Sequence, residues 1–176
     1  VGTTTEPNPD TVMGEGPVYN LVIDHPEVTL LWDSGSHPAA MDGHWPPALA
    51  DAFEHADAAD HALPDALDEA GYTLDDIDAV LQTHLHLDHA GGLHNFAGTD
   101  TPVYVHAEEL KFAYLSATTD AGDGAYVRAD FDHDLNWQLL HRDRETHFTD
   151  MAFLHLPGHT PGLVGTMLDI DGYGTA

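Results

Sequence analysis

Apolar and polar positions change rhythm several times along the chain, and each rhythm predicts a different element. Residues 18–23 and 29–32 are rich in Val, Ile and Leu and predict two strands joined by a turn around His25, Pro26 and Glu27. Leu63, Ala66, Leu67 and Ala70 recur at helical spacing. With Pro64 in a first turn and Gly71 just past the end, they predict a helix over 62–70. A short strand is predicted over 79–83 and another over 102–106. A helix over 107–115 follows, with Glu108 and Glu109 favouring its N-terminal end. Strands over 137–141, 152–156 and 164–170 come next. Asp171, Gly172, Tyr173 and Gly174 then read as a hairpin turn, with Thr175 and Ala176 starting the next strand.

The stretches between these elements are equally informative. Residues 1–17 carry Thr, Pro, Gly and Glu without periodicity and read as a loose lead-in, which leaves 18–176 as one domain. Over 41–59 the pattern is mixed, and Trp45-Pro46-Pro47 argues against regular helix there. Residues 116–136 form the longest predicted loop, and their Gly, Asp and Thr content with Tyr126 and Phe131 suits a loop that covers a substrate. Alternating strands and helices indicate a mixed α/β fold.

Charge narrows the choice of partners. A net charge of -27 arises from 31 acidic residues against only Lys111, Arg128, Arg142 and Arg144. The carboxylates are scattered among periodic apolar positions, so they read as a folded acidic surface instead of a disordered tail. Concentrated salt screens such a surface, and the composition is similar to that of proteins from salt-loving organisms. Four cations cannot line a groove for phosphate backbones, so no nucleic-acid partner is expected. No stretch is long and apolar enough for a membrane span, and a cytoplasmic location is the expectation. The absence of cysteine removes both disulfides and thiolate metal ligands.

One segment carries chemistry that a core does not need: His84, His86, Asp88 and His89 place three imidazoles and a carboxylate within residues 84–89. Extended backbone sends alternate side chains to one face, so His84, His86 and Asp88 should converge, and a turn at Asp88 should bring His89 beside them. Imidazole nitrogen and carboxylate oxygen suit Zn²⁺ or a similar cation when thiolate is absent. Gly91 and Gly92 permit the close turn that follows. Farther on, Leu156-Pro157-Gly158-His159-Thr160-Pro161-Gly162 presents His159 in a tight loop. The other histidines, among them His37, His44, His94, His106, His133 and His155, are expected to be structural or superficial.

The His-x-His-x-Asp-His segment and the later Gly-His-Thr loop together resemble the metallo-β-lactamase superfamily. That resemblance implies an αββα sandwich, incomplete here at its C-terminal side. It assigns His84, His86 and His159 to one divalent ion and Asp88 and His89 to a second, with Zn²⁺ expected for both. A metal lowers the pKa of its water toward about 7, which makes hydroxide available at neutral pH. Asp88 would also be catalytic, passing a proton to the leaving group. Asp33-Ser34-Gly35 resembles the superfamily's Asp-Thr-Gly turn, whose aspartate supports the site without touching the metal.

Residues 21–35, 63–72 and 126–131, with both metal motifs, look like the N-acyl homoserine lactonase branch. The implied reaction is opening of a lactone ring by a metal-activated hydroxide, which would quench a quorum signal. The alternatives are a thioester hydrolase resembling hydroxyacylglutathione hydrolase, disfavoured by the scarcity of basic residues, and a metal-binding but inactive fragment. Leu163 stands where the branch has another histidine. The branch's bridging aspartate, a nearby tyrosine and a last histidine cannot be assigned, because Asp169 and Asp171 fall too early in the chain. The expectation is therefore that the native polypeptide continues beyond Ala176, or that a homodimer partner or complementing chain supplies the missing groups.

Overall fold

The N-terminal strands form a hairpin, β1 (Leu21–His25) antiparallel to β2 (Val28–Trp32). From β2 the sheet grows by parallel addition of β3 (Ala79–Leu81), β4 (Pro102–His106) and β5 (Asn136–Leu140), in the order β1-β2-β3-β4-β5. The crossovers carry helices α2 (Leu63–Glu69) and α3 (Ala107–Thr118), as parallel pairing requires. A second, antiparallel sheet follows from β6 (Arg144–Phe148), β7 (Met151–His155), β8 (Val164–Ile170) and β9 (Gly174–Thr175). This computed structural model describes residues 16–53, 55, 57–119, 121–170 and 172–176. Most of the predicted lead-in, residues 1–15, and Asp171 of the predicted hairpin turn lie outside the described residues.

Strand periodicity of two sorts the core into layers. Leu31, Val80, Val103 and Val105 face the helices and pack with Leu63, Leu67, Phe96, Ala113 and Phe131. Leu30, Ala79 and Leu81 face the other way and pack with Met151, Phe153 and Val164 of the second sheet. The inner strands β2 and β3 are thus apolar on both faces, which explains why they read as continuous apolar runs. Helices, five-stranded sheet and four-stranded sheet are the three layers among the described residues. An outer helical layer on the second sheet is not among them.

Several expectations are corrected. The prolines at 46 and 47 do not exclude helix but start one, α1 (Pro47–Ala50), because a first-turn proline lacks only an N–H that has no helical partner. The stretch 116–136 is not wholly loop, since α3 runs on to Thr118 and α4 (Arg128–Phe131) lies within it. β6 went unread because Arg144, Glu145, Thr146 and His147 are polar, and an edge strand half open to solvent needs no apolar run. β1 begins at Leu21 and β3 ends at Leu81, each shorter than its apolar pattern.

Candidate metal centre

The site lies where the parallel strands end, the place at which open α/β sheets collect ligands. Asp33 follows β2, His84 follows β3, and His159 lies in the loop between β7 and β8. Thr83 O accepts from Val164 N–H at 2.9 Å, which ties the first sheet's edge of the site to the second sheet. Between the histidines, Leu85 sinks into the helical core and Leu87 packs with Ala40, Trp45 and Val127. These leucines pin the segment from below. The imidazoles of His84 and His86 are left facing the loop that carries His159.

His84, His86 and His159 meet: their ligand atoms all lie within 4.8 Å of one another. The rings stand edge to face, His84 to His159 and His86 to His159 each at 4.9 Å between centroids. Nε2 of His84 and Nε2 of His86 are buried without a hydrogen-bond partner. Buried polar atoms are normally paired, so two orphaned nitrogens turned toward a third imidazole fit a cation. Burial, then the neighbouring His89, His86 and His159, holds the His84 imidazole down to about 2. Burial likewise lowers His86. Both are therefore neutral, the form in which imidazole binds metal.

The tautomers agree with that reading. Thr83 Oγ1 donates to Asp33 Oδ2 at 2.8 Å, so its lone pair is left to accept from His84 Nδ1–H at 3.0 Å. The proton on Nδ1 frees Nε2 as the donor atom. Asp33 also accepts from Thr83 N–H at 2.7 Å and from His89 Nδ1–H at 2.8 Å. This carboxylate is fully buried and touches none of the three converging nitrogens. It orients the imidazoles from behind, as the Asp-Thr-Gly resemblance implies.

Asp88 and His89 arrive differently from expectation. The backbone is not extended through 88, because His86 O accepts from both His89 and Ala90 N–H at 3.0 Å and closes a turn there. His84 and His86 converge with His159, while Asp88 Oδ2 lies 3.4 Å from His89 Nε2 beside them. Burial opposes charge on His89, yet its hydrogen bonds to Asp33 and Asp88 outweigh that and push it up to about 10. Burial also pulls the Asp88 carboxyl upward, but His89 prevails and leaves it at about 2. Without an ion the pair is an anion facing an imidazolium whose Nδ1–H is committed to Asp33, and a cation held there would displace the proton on Nε2.

The glycine pair acts through close approach instead of turn geometry. A Cβ on Gly91 would stand 2.0 Å from His37 N, and one on Gly92 2.3 Å from Ser34 O. Only glycine lets the segment 34–37 lie against the metal motif, where Gly91 N–H donates to Gly35 O at 2.7 Å.

Three residues at the site escaped sequence reading. Glu109, one of two adjacent glutamates, is fully buried and accepts from Leu85 N–H at 2.9 Å and from Tyr126 O–H at 2.8 Å. Thr83 links Asp33 to His84. Asp123 brings Oδ2 to 3.6 Å from His86 Nε2. Helix periodicity could have flagged Glu109 as facing inward, but nothing local marks the other two. Tyr126 and Phe131, read as candidates to cover a substrate, are buried instead, Tyr126 with its ring 4.6 Å from His86 and Phe131 in the helical core. Asp169 accepts from Thr175 Oγ1–H at 2.9 Å within the β8–β9 hairpin.

Two buried, neutral imidazoles and the exposed His159 converge at the strand ends of a layered α/β fold, a donor set that suits a divalent cation. A family model of the metallo-beta-lactamase superfamily matches residues 13–174, and the chain belongs to that superfamily. The superfamily binds divalent metals and supports a hydrolase. The N-acyl homoserine lactonase AiiB of Agrobacterium fabrum (strain C58 / ATCC 33970) is 29% identical over 178 residues, covering 96% of this chain and 64% of that protein. The N-acyl homoserine lactonase AttM of the same organism is 31% identical over 157 residues, covering 84% of this chain and 58% of that protein. This chain therefore spans 58–64% of the length of these relatives. Among solved structures, a mutant of B. thuringiensis AiiA with N-decanoyl-L-homoserine bound at its active site superposes with a TM-score of 0.73 at 22% identity. The match covers 90% of this chain and 61% of that one, and shows a shared fold.

Proposed function

We propose that the chain is the metal-binding part of a hydrolase that opens N-acyl homoserine lactones. The observation that carries this reading is the convergence of His84, His86 and His159, with two orphaned nitrogens, in a chain whose curated relatives are lactonases. His84, His86 and His159 would hold one ion, and Asp88 with His89 would face a second. Zinc suits a set of imidazoles and carboxylate without thiolate.

When bound, such an ion supplies an acidified water and polarises the lactone carbonyl. The chain's own groups do the rest. Asp88, an anion beside the histidines, accepts the proton that water gives up and returns it to the ring oxygen as the carbon–oxygen bond breaks. The product is the open acyl homoserine, with a new carboxylate and hydroxyl. Asp33 keeps the His89 ring in one tautomer throughout. Leu87 N–H donates to Ala125 O at 3.0 Å, so the loop carrying Asp123 and Tyr126 is fastened to the metal motif.

The test is turnover of N-decanoyl-homoserine lactone against a glutathione thioester by metal-loaded protein. Ring opening at the higher kcat/KM is expected. Preferential thioester cleavage would overturn the lactonase reading in favour of the glutathione-dependent one.

A further inference from the structure

Two carboxylates beside the site are fully buried, Asp33, which orients His89, and Glu109, to which the ligand set and the proton path give no role. Its neighbour Glu108 is exposed and pairs with Lys111 at 2.6 Å. Glu109 has no ion pair among the described residues. All of its partners are neutral donors, and each belongs to a different piece of the site. Oε1 accepts from Leu85 N–H, between His84 and His86, at 2.9 Å. The same oxygen accepts from Tyr126 O–H at 2.8 Å, on the segment whose ring packs against His86. Oε2 accepts from Gly162 N–H at 3.1 Å, three residues past His159. Gly162 itself lies against α3, where an added Cβ would stand 2.2 Å from Glu109 N.

The loop that bears His159 is exposed at its tip and buries Thr160: Leu156 N–H to Leu163 O at 2.8 Å closes its base, Gly158 N–H to Thr160 O at 3.0 Å spans its tip, and His155 Nε2–H donates to Pro161 O at 2.8 Å. Val164 N–H to Thr83 O at 2.9 Å ties the two segments only beyond the loop's end, and the bonds within the loop do not set how far His159 stands from His84 and His86. Glu109 does, because one rigid carboxylate holds Leu85 and Gly162 at once. Burying a carboxylate without a cation is costly, and three neutral N–H and O–H donors only partly offset that cost. A metal ion in the adjacent three-imidazole pocket would supply the missing positive charge.

We infer that Glu109 is a positioning residue which holds the two ligand-bearing segments at coordinating distance and supplies counter-charge to the bound ion. This rests on reading His84, His86 and His159 as the ligand set, and it concerns binding, so its test needs no substrate. Co²⁺ is titrated into the metal-free chain and followed by visible absorption, for the parent, Glu109→Gln, Glu109→Asp and the exposed control Glu108→Gln. Gln keeps the volume, loses the charge and cannot accept at both ends. Asp keeps the charge and is too short to span Leu85 and Gly162. Folding of each is checked by circular dichroism.

Both Glu109 variants should bind Co²⁺ about 10- to 100-fold more weakly, with shifted ligand-field bands, while Glu108→Gln matches the parent. If Glu109→Gln does not fold, Glu109→Asp is read in the same way. A folded Glu109 variant with parental affinity and spectrum overturns the inference and leaves the ligand set standing. A parent that takes up no Co²⁺ overturns the ligand-set reading, and this one with it.

Discussion

Asp33 accepts the His89 Nδ1–H at 2.8 Å from a backbone held at φ 60°, the left-handed region that few non-glycine residues enter. Strain of that kind persists where surrounding contacts over-determine it, and here Thr83 supplies two more hydrogen bonds to the same carboxylate. Asp33→Ala should lower stability by about 3 kcal/mol, since it leaves buried donors without an acceptor. Asp33→Asn tolerates the left-handed backbone and should lose less stability, yet still weaken metal binding about 10-fold. Urea unfolding of the metal-free forms with Co²⁺ titration separates the two effects. Parental behaviour of Asp33→Ala in both would contradict the role given to Asp33.

The three imidazoles should be separable from the fold. His159 is exposed, so His159→Ala should change the stability of the metal-free protein by no more than about 0.5 kcal/mol while abolishing tight metal binding. His84→Ala and His86→Ala should also lose the metal. Metal content per chain after dialysis reports this directly, and full retention by the His159 variant would remove it from the ligand set.

Two glycines near the histidines should respond in opposite ways. Gly91→Ala drives a Cβ to within 2.0 Å of His37 N and should destabilise by more than about 2 kcal/mol. Gly158 has nothing within 4 Å of the same position, so Gly158→Ala should be nearly neutral despite lying beside His159. Thermal unfolding of the pair tests it, and equal shifts would be inconsistent with the close approach at Gly91.

Acid sensitivity should trace in part to His37. Burial, then the neighbouring His44, His94 and His133, pushes its imidazole down to about 4 from the usual 6.5. Between those values the unfolded chain binds more protons than the folded one, so stability falls as pH falls from 6.5 toward 4. His37→Asn can still accept from Ala39 N–H and should flatten the stability profile in that window without altering it above. An unchanged slope in urea midpoints measured across the window would contradict this.

The acidic surface should respond to salt. With a net charge of -27, self-repulsion is relieved by screening, and the melting temperature should rise as KCl increases from low to multimolar concentration. Loss of stability with added KCl would count against the halophilic reading.

Local chemistry in the sequence determined much of this protein. His84, His86 and His159 were legible because residue types so expensive to place together have few structural uses, and β2, β3, α2 and α3 were legible from their apolar spacing. The edge strand β6 was not, since a polar edge carries no apolar rhythm. Glu109 and Glu108 are chemically identical neighbours, and only the packing of α3 against the β7–β8 loop buries one and exposes the other. Tertiary structure also decided that the turn closes at His86, that Gly91 matters through His37, and that Asp33 reaches His89 across 56 positions. Sequence patterns record what each residue can do. Which donors a buried carboxylate meets depends on segments far apart in the chain, and only the folded chain brings those together.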